Sequence, residues 1–585
     1  MPRMDSARGW SVPPNPEADP VSFVAFASRR YRLAIDLDVR SACLVLERPS
    51  GQTISVHAQG GSEEARIRAG LDDLAQAGGG TSSSLLARTG SVMLSSAEVG
   101  RLLQDEPDTL TGLITDPEHL HRLTQEGWID PWTVPIWLPD PLAGWAARSG
   151  VGGGRPGSAS MEAEQAQEAA RQLLAYGCDS VAVVLPSSSI DADGELWLED
   201  VLVRMNDRVS VSLSHRAASF RAGMPRVLAT LIDARVGARV REHLQRIRQV
   251  LESLGFSGDI LIAQSSGGLA SIDRVIRAPV STADSVTATQ LVQSSRLACR
   301  LGQRRFVFLH ANGVSVVGWL VEVGAQAGQA DSVEKDSDMM PVAGRCTGGR
   351  WVGPRVESLL PGTGSRSEIG FGGDLLLPTE TVGSPPASEV IDRLHERIAS
   401  LCQRRGMEPG SLAVIACGEE AAAVGRAVVD RISSSRLIVP PSPEEFSAAG
   451  LLRSSLCACH ATPISYGDNG IHLGILDRAV TTLATRAVSD LAVDGAARED
   501  ALVVMEFFGP GADSLQRIHE IAWQPPSRRL SALDDFVAAV HQASGRAPGR
   551  PAGLPGFAGK LRVWARAPWG SEEEIDPGNP ASDCY

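Results

Sequence analysis

Leu228, Leu231, Ile232, Val236, Val240, Leu244, Ile247, Leu251 and Leu254 recur every three or four residues, so residues 225–254 read as one long amphipathic helix. At about 1.5 Å per residue such a helix runs to roughly 45 Å. Its apolar stripe needs a partner of similar length, and a sheet is the natural one. Strand-like segments flank it. Residues 209–214 lead into it, and residues 260–264 (Ile-Leu-Ile-Ala-Gln) follow it and end at Gly267 and Gly268, where a backbone can approach a ligand or another segment closely. Arg226, Arg235, Arg239, Arg241, Arg246 and Arg248 occupy other positions of the helix, and the expectation is a solvated outer face.

The rest of the chain alternates in the same way. Residues 31–47 read as a strand pair around a turn at 38–41. A helix at 161–176 ends at Gly177 and is followed by a strand at 180–185. Further on come a helix at 387–405, a strand at 412–416 ending at Gly418, a helix ending near 432, and a short buried strand at 437–441. Helix–strand alternation of this kind predicts an α/β architecture. Residues 76–84, 147–160 and 325–385 are rich in Gly, Ser or Pro and read as loops.

At 585 residues the chain exceeds a single core, so roughly two or three domains are expected. The expected divisions are a disordered tail at 1–28, domains at 29–217 and 218–485, a β-rich module at 486–570 and a tail at 571–585. The net charge of −14 argues against nucleic acid or an anionic membrane as the partner. No run of about 18 apolar residues predicts a membrane span, and the polar, Pro-rich start of the chain predicts a cytoplasmic location. The cysteines, nine in number, are scattered and suggest free thiols. Cys457, Cys459 and His460 lack a second ligand pair at finger-like spacing, and His119 and His121 have no visible partner, so no metal site is expected.

Residues 306–321 read as strand, tight turn and strand, with His310, Asn312, Val314 and Val317 around the turn. A turn that cradles phosphate needs glycines for close backbone approach, hydroxyl donors and a carboxylate for Mg²⁺. This turn is largely apolar.

Gln264-Ser-Ser-Gly-Gly-Leu269 is followed by Pro279-Val280, and Leu437-Ile-Val-Pro-Pro441 by Ser447-Ala-Ala-Gly-Leu-Leu452. The order of these segments resembles the hydantoinase A/oxoprolinase family, which includes the ATP-binding subunits of N-methylhydantoinase, 5-oxoprolinase, caprolactamase and the acetone and acetophenone carboxylases. The first pair looks like the family's Gln-Ser-Asn-Gly-Gly-Leu … Pro-Val signature. The second pair is similar to its Val-Leu-Val-Pro-Pro … Ser-Ala-Leu-Gly-Leu-Leu. Residues 209–214 match in position and pattern, and the resemblance spans residues 30–470.

The resemblance implies an actin-like, ribonuclease H-like two-domain ATPase fold with a smaller β-rich C-terminal module. It also implies a nucleotide cleft wrapped by two Asp-x-Gly-Gly-Thr-x-Thr-Asp hairpins. Here Asp36 matches the leading carboxylate of the first, but Asp38 and Val39 stand at the glycines, Arg40 replaces the first Thr, and Cys43 replaces the last Asp. In the second, His310 replaces the Asp, Asn312 the first Gly, Val314 and Val316 the threonines and Val317 the last Asp; Gly313 and Ser315 survive. The family's Gly-Gly-Ala-Gly-Pro becomes Gly418-Glu419-Glu420-Ala421-Ala422, and its Ser-Gly-Pro-Ala-Ala-Gly becomes Ser285-Val-Thr-Ala-Thr-Gln290. Its His-Gly-Thr-Thr keeps only Gly80-Thr81, and its His-Ser-Tyr reads Ser187, Ser188 and Ser189.

These departures predict a vestigial nucleotide cleft formed by Asp36, Asp38, Arg40, Ser41, Gly267, Gly268, His310, Asn312, Gly313, Ser315, Gly418 and Glu419. The expected role is a degenerate, pseudo-ATPase subunit of a multi-subunit amidohydrolase or carboxylase. Its partners would be a hydantoinase B-like subunit and, in some complexes, a second, active A-type chain. Two readings stay open beside it. An active subunit would use ATP and Mg on a cyclic amide or ketone, with compensating residues such as Gly348 and Gly349 inside 325–385. A divergent catalyst would gather His310, Asp36, Asp38, Glu419 and Glu420 as general base or transition-metal ligands, against the plainer role of His310 as a strand-end cap.

Overall fold

The computed structural model describes residues 31–38, 41–99, 102, 110–125, 129, 131–138, 159–185, 188, 192–219, 224–265, 267–283, 285–303, 305–311, 315–322, 374–375, 380–381, 388–404, 407–418, 421–434, 436–466, 473–498, 501–508, 515–522 and 556–567. Within them the chain opens with β1 (Tyr31–Leu37), β2 (Ser41–Glu47) and β3 (Thr53–Gln59), an antiparallel meander. Helices α1 (Glu63–Ala77) and α2 (Ser82–Arg88) then return the chain to β4 (Thr89–Ser96), which lies parallel to β1. Residues 82–84, expected in a loop, form the first turn of α2. The reason is local: Thr81 and Ser84 make a reciprocal capping box that supplies the orphan N–H groups of the helix start.

The strands β5 (Leu110–Thr115), β6 (Thr133–Trp137), β7 (Cys178–Val184) and β8 (Ser210–Leu213) form a four-stranded sheet, all parallel, in the order β6-β5-β7-β8. Helices α3 (Pro117–Gln125), α4 (Ala159–Ala175) and α5 (Asp193–Met205) connect them, and α6 (Ser214–Ala217) leads to α7 (Met224–Ser253). Then come β9 (Asp259–Ala263), β10 (Leu269–Ser271), α8 (Ile272–Arg277), a 3₁₀ turn at Pro279–Thr282 and α9 (Ser285–Arg300).

A third sheet follows. It holds β11 (Arg305–Ala311), β12 (Ser315–Glu322), β13 (Asp374–Leu375), β14 (Glu380–Thr381), β15 (Ala413–Cys417) and β16 (Leu437–Ile438), with α10 (Ser388–Arg404), α11 (Ala421–Ile432) and α12 (Phe446–Leu451) around it. Its main path is β13-β12-β11-β15-β16, with β14 also on β12. Two short strands therefore lie inside 325–385, and the segment expected as a buried strand at 437–441 is a two-residue, half-buried strand. The chain closes with β17 (Leu456–Tyr466), α13 (Leu473–Val493), β18 (Leu502–Phe508), β19 (Leu515–Ala522) and β20 (Gly556–Ala567). These last strands extend the first sheet, giving the ten-stranded order β19-β18-β20-β17-β10-β9-β4-β1-β2-β3. The expected boundary between 485 and 486 falls within α13.

One strand pattern recurs in the first and third sheets. In β3-β2-β1-β4-β9 and in β13-β12-β11-β15-β16, the second strand runs antiparallel to both neighbours, and the third to fifth strands are mutually parallel. In both, the central strands are buried on both faces, as parallel strands must be. Leu33, Ile35, Val92, Leu94 and Ile262 face α1 and α7, while the intervening Ala34, Met93, Leu261 and Ala263 face α12 and α13. In the third sheet Val307, Leu309 and Val414 face α10 and α11, while Phe306, Phe308 and Ile415 face α9 and α12.

α7 lies between the ten-stranded and four-stranded sheets, packing Leu228, Ile232 and Leu244 with residues of both, such as Leu33 and Ala182. This position removes Arg226 from the expected solvated face and half-buries Arg235, Arg239, Arg241 and Arg248, while Arg246 stays exposed as expected. Arg226 is buried and donates to Ser214 and Ser188; Arg235 reaches Thr133, Arg241 reaches Ser210, and Arg248 pairs with Asp273. A buried carboxylate, Glu195, accepts hydrogen bonds from Leu185 N, Ser214 Oγ and His215 Nδ1. Burial opposes its charge, but the His215 hydrogen bond and Arg226 outweigh it and hold the carboxyl below its usual range. Cys43, Cys178, Cys402, Cys417, Cys457 and Cys459 are buried and form no disulfide. No helix among the described residues is long and apolar enough to cross a membrane.

Phe308 stacks on Phe446 of α12 at 6.5 Å and tilts against Trp319 at 5.6 Å, so it ties the third sheet to a helix of the first. Phe308→Ala should lower stability by about 3–5 kcal/mol and alter the near-ultraviolet signal of Trp319. Denaturant titration followed by that signal checks it, and a loss under about 1 kcal/mol would contradict the placement.

Candidate functional site

The C-terminal ends of β1, β4, β11 and β15 carry the polar residues that the apolar strands cannot absorb. Asp36, the penultimate residue of β1, stands opposite Cys43 on β2 and level with Ser95 on β4. Ser95 Oγ donates to Asp36 Oδ1 at 2.5 Å, and Ser447 of α12 is a second hydrogen-bonding partner. Asp36 is 8% exposed. Burial is the largest influence on its carboxyl, Ser95 and Ser447 oppose it, and the charge of Asp38 adds to it; the pKa rises from 3.8 to about 7. Burial, with the charges of Asp36, Glu445 and Glu444, also pushes the Cys43 thiol far above its usual range, so it stays protonated.

His310 occupies the corresponding position near the end of β11, opposite Cys417 on β15 and Val317 on β12. Gln290 of α9 donates from Nε2 to His310 Nδ1 at 3.1 Å, and Cys417 Sγ lies 3.6 Å from the same nitrogen. With Nδ1 accepting, the ring proton belongs on Nε2. Burial lowers the His310 pKa, against the charge of Asp38, so the neutral imidazole is favoured. Burial and then Asp36 raise the Cys417 thiol. These cross-influences, Asp38 on His310 and Asp36 on Cys417, place the two hairpin ends face to face.

α9 joins them. Thr289 Oγ1 lies 2.8 Å from Ser447 Oγ, the partner of Asp36, while the next residue, Gln290, holds His310. At the start of the helix, Ser285 Oγ accepts from Ser96 N and donates to Ser96 O, both at 3.2 Å. The Ser447–Leu452 motif has a packing reason: a Cβ on Gly450 would lie 2.3 Å from the Thr289 carbonyl oxygen, so only glycine lets α12 sit against α9.

The structure thus brings Asp36, Asp38, His310 and Gly418 to one region, and separates others. Gly418 follows Cys417 with φ +94°, and a Cβ there would lie 2.2 Å from the Ala311 carbonyl oxygen. Gly267 (φ +79°) turns the chain after β9, and a Cβ on Gly268 would meet the Cβ of Cys457 at 2.2 Å. Backbone geometry accounts for these glycines without a ligand. The Ser41 carbonyl closes its turn by accepting from Asp38 N at 3.0 Å, and Ser315 opens β12. Val39, Arg40, Asn312, Gly313, Val314, Glu419, Glu420, Ser187, Ser189, Gly348 and Gly349 lie outside the described residues. His460 is engaged by Asp490 at 2.9 Å and His119 by Asp116, which explains both without a metal.

Sequence reasoning missed Gln290, Thr289, Ser447, Ser95 and Cys417. Gln290 stood at the end of a segment read only as lost glycines; the signal was its place on a helix beside a buried strand end.

No protein-family model matches the chain, and no curated protein matches it in sequence. Solved structures do. Acetone carboxylase, in the nucleotide-free structure from a study of ATP-dependent acetone carboxylation, aligns at a TM-score of 0.58 and 15% identity, over 92% of this chain and 88% of that one. The ATP-dependent caprolactamase of Pseudomonas jessenii aligns at 0.58 and 17% identity, over 92% and 87%. The chain shares the mixed α/β fold of these two proteins.

Asp36 yields a pH-dependent prediction. Its folded pKa is raised, so it stabilises the fold fully below about pH 4 and loses that contribution as pH rises through about 7. Asp36→Asn removes the charge and keeps an acceptor for Ser95. Relative to the natural protein it should gain stability between pH 4 and 8, by at most about 4 kcal/mol at about 1.4 per pKa unit. Thermal melts across that range check this, and parallel curves would contradict it.

Proposed function

We propose that the chain is a hydantoinase A/oxoprolinase-type subunit whose nucleotide cleft no longer handles ATP, serving a structural or regulatory role in a multi-subunit amidohydrolase or carboxylase. In this reading the ten-stranded sheet and the β11–β16 sheet are the two halves of an actin-like, ribonuclease H-type fold. Support comes from their shared strand pattern and from the likeness in fold to acetone carboxylase and caprolactamase.

One observation carries the loss of ATP chemistry. Where the two hairpins meet, Asp36 is a carboxyl drawn toward its neutral form, His310 a neutral imidazole, and Cys43 and Cys417 protonated thiols. A hard cation such as Mg²⁺ takes ionised oxygen ligands, and Asp36 offers one only by losing its proton in a buried site. Asp38, at a position that would face polyphosphate, adds repulsion, while His310 and Cys417 are locked to Gln290 and to each other. Removing a single such contact costs about 3–4 kcal/mol in enzymes that stabilise developing charge; joint replacement leaves little. The subunit's partners in this reading are a hydantoinase B-like chain and, in some complexes, an active A-type chain.

Equilibrium dialysis of the full-length protein with ATP and excess Mg²⁺ tests the proposal. No saturable binding below about 1 mM is expected. A micromolar dissociation constant would instead favour an active ATP-dependent subunit acting on a cyclic amide or ketone.

A further inference from the structure

Three side chains outside the cleft converge beside the end of β4. His243, on α7, is 2% exposed. Its Nδ1 lies 2.9 Å from Oε2 of Glu63, in the first turn of α1, and Glu98, just after β4, brings a second carboxylate. One donor atom from each residue, imidazole nitrogen or carboxylate oxygen, falls within 4.8 Å of the other two.

The imidazole is held for ligation by its other nitrogen. Ser96 Oγ lies 3.1 Å from His243 Nε2 and accepts from Glu98 N at 3.2 Å, while Ser96 itself is clamped by Ser285. A hydroxyl accepting from Nε2–H leaves the Nδ1 lone pair facing the two carboxylates, the arrangement by which proteins orient a histidine toward a metal. The charges agree with this. A divalent cation offsets both carboxylates.

We propose that His243, Glu63 and Glu98 bind a first-row divalent cation, with Zn²⁺ preferred. One imidazole and two carboxylates suit such ions, Zn²⁺ binds N/O sites more tightly than Mn²⁺ or Fe²⁺, and three protein ligands leave a coordination position open. The site spans α1, α7 and the segment after β4. It lies one residue from Ser95, which holds Asp36, and shares Ser96 with the start of α9. The cation would therefore brace α1, α7 and the end of β4 next to the cleft. The proposal does not depend on whether the cleft binds nucleotide.

The test is titration of chelator-stripped full-length protein with Zn²⁺ against a chromophoric competitor. Natural protein, Glu98→Gln, His243→Gln and Glu445→Gln are compared; the last removes a member of the separate, largely exposed group His57, Glu444 and Glu445. One equivalent should bind the natural protein with micromolar or tighter affinity. Glu98→Gln and His243→Gln should each weaken it by about 10–100-fold, and Glu445→Gln should leave it unchanged. Cobalt absorption in the visible range should change in His243→Gln. Glu98 is half-buried, so its variant decides the matter even where His243→Gln fails to fold. No saturable site below roughly 100 µM, or equal affinity in Glu98→Gln, would overturn the proposal.

Discussion

Two consecutive residues of α9 hold the strand ends of two sheets together. Successive residues on an α-helix point about 100° apart, which lets Thr289 reach Ser447, the partner of Asp36, while Gln290 reaches His310. Because α9 also packs against α12 across Gly450, small movements of either hairpin end are transmitted to the same helix. The cleft is therefore a cross-linked seam, in which Asp36, Ser95, Ser447, Thr289, Gln290 Nε2 and His310 are partnered within the protein while Gln290 Oε1 has no partner among the described residues.

The chemistry at this seam follows from burial. A carboxyl that is 8% exposed and accompanied by Asp38 keeps its proton up to about pH 7, even with two hydroxyl donors. Buried thiols at Cys43 and Cys417 are held neutral by the same desolvation and by each carboxylate charge nearby. A phosphate cradle needs the reverse: exposed backbone N–H groups, flexible glycines and ionised oxygens around a cation. Gly418, one of the glycines retained, answers to the Ala311 carbonyl.

Much of the fold was legible in the sequence because apolar periodicity reports burial directly. The stripe of α7, the strand pair 31–47 and the hairpin 306–321 appear where their patterns place them. Arg226 misled, because periodicity distinguishes the faces of a helix but not how many of them are covered. Arg226 lies inside only because Ser188, Ser214 and Glu195 surround it, and those partners are distant in sequence. The helix at 82–88 was hidden by a Gly/Ser-rich composition, although the Thr81/Ser84 capping pair was its local signal. In the candidate site, Asp36 stood out as the retained carboxylate of a motif and His310 as a departure from one. Gln290, Thr289 and Ser447 did not, because their roles depend on two sheets meeting at one helix.

The central claim is that this seam is held together by the protein's own hydrogen bonds, without a nucleotide. Amide hydrogen exchange of the full-length protein, with and without about 5 mM ATP and Mg²⁺, a level expected to saturate even weak sites, tests it directly at α9, β11 and the β1–β2 turn. Superimposable exchange in these three segments is the predicted result, since Thr289, Gln290 and their partners are already bonded to one another. Nucleotide-dependent protection confined to them would contradict the account.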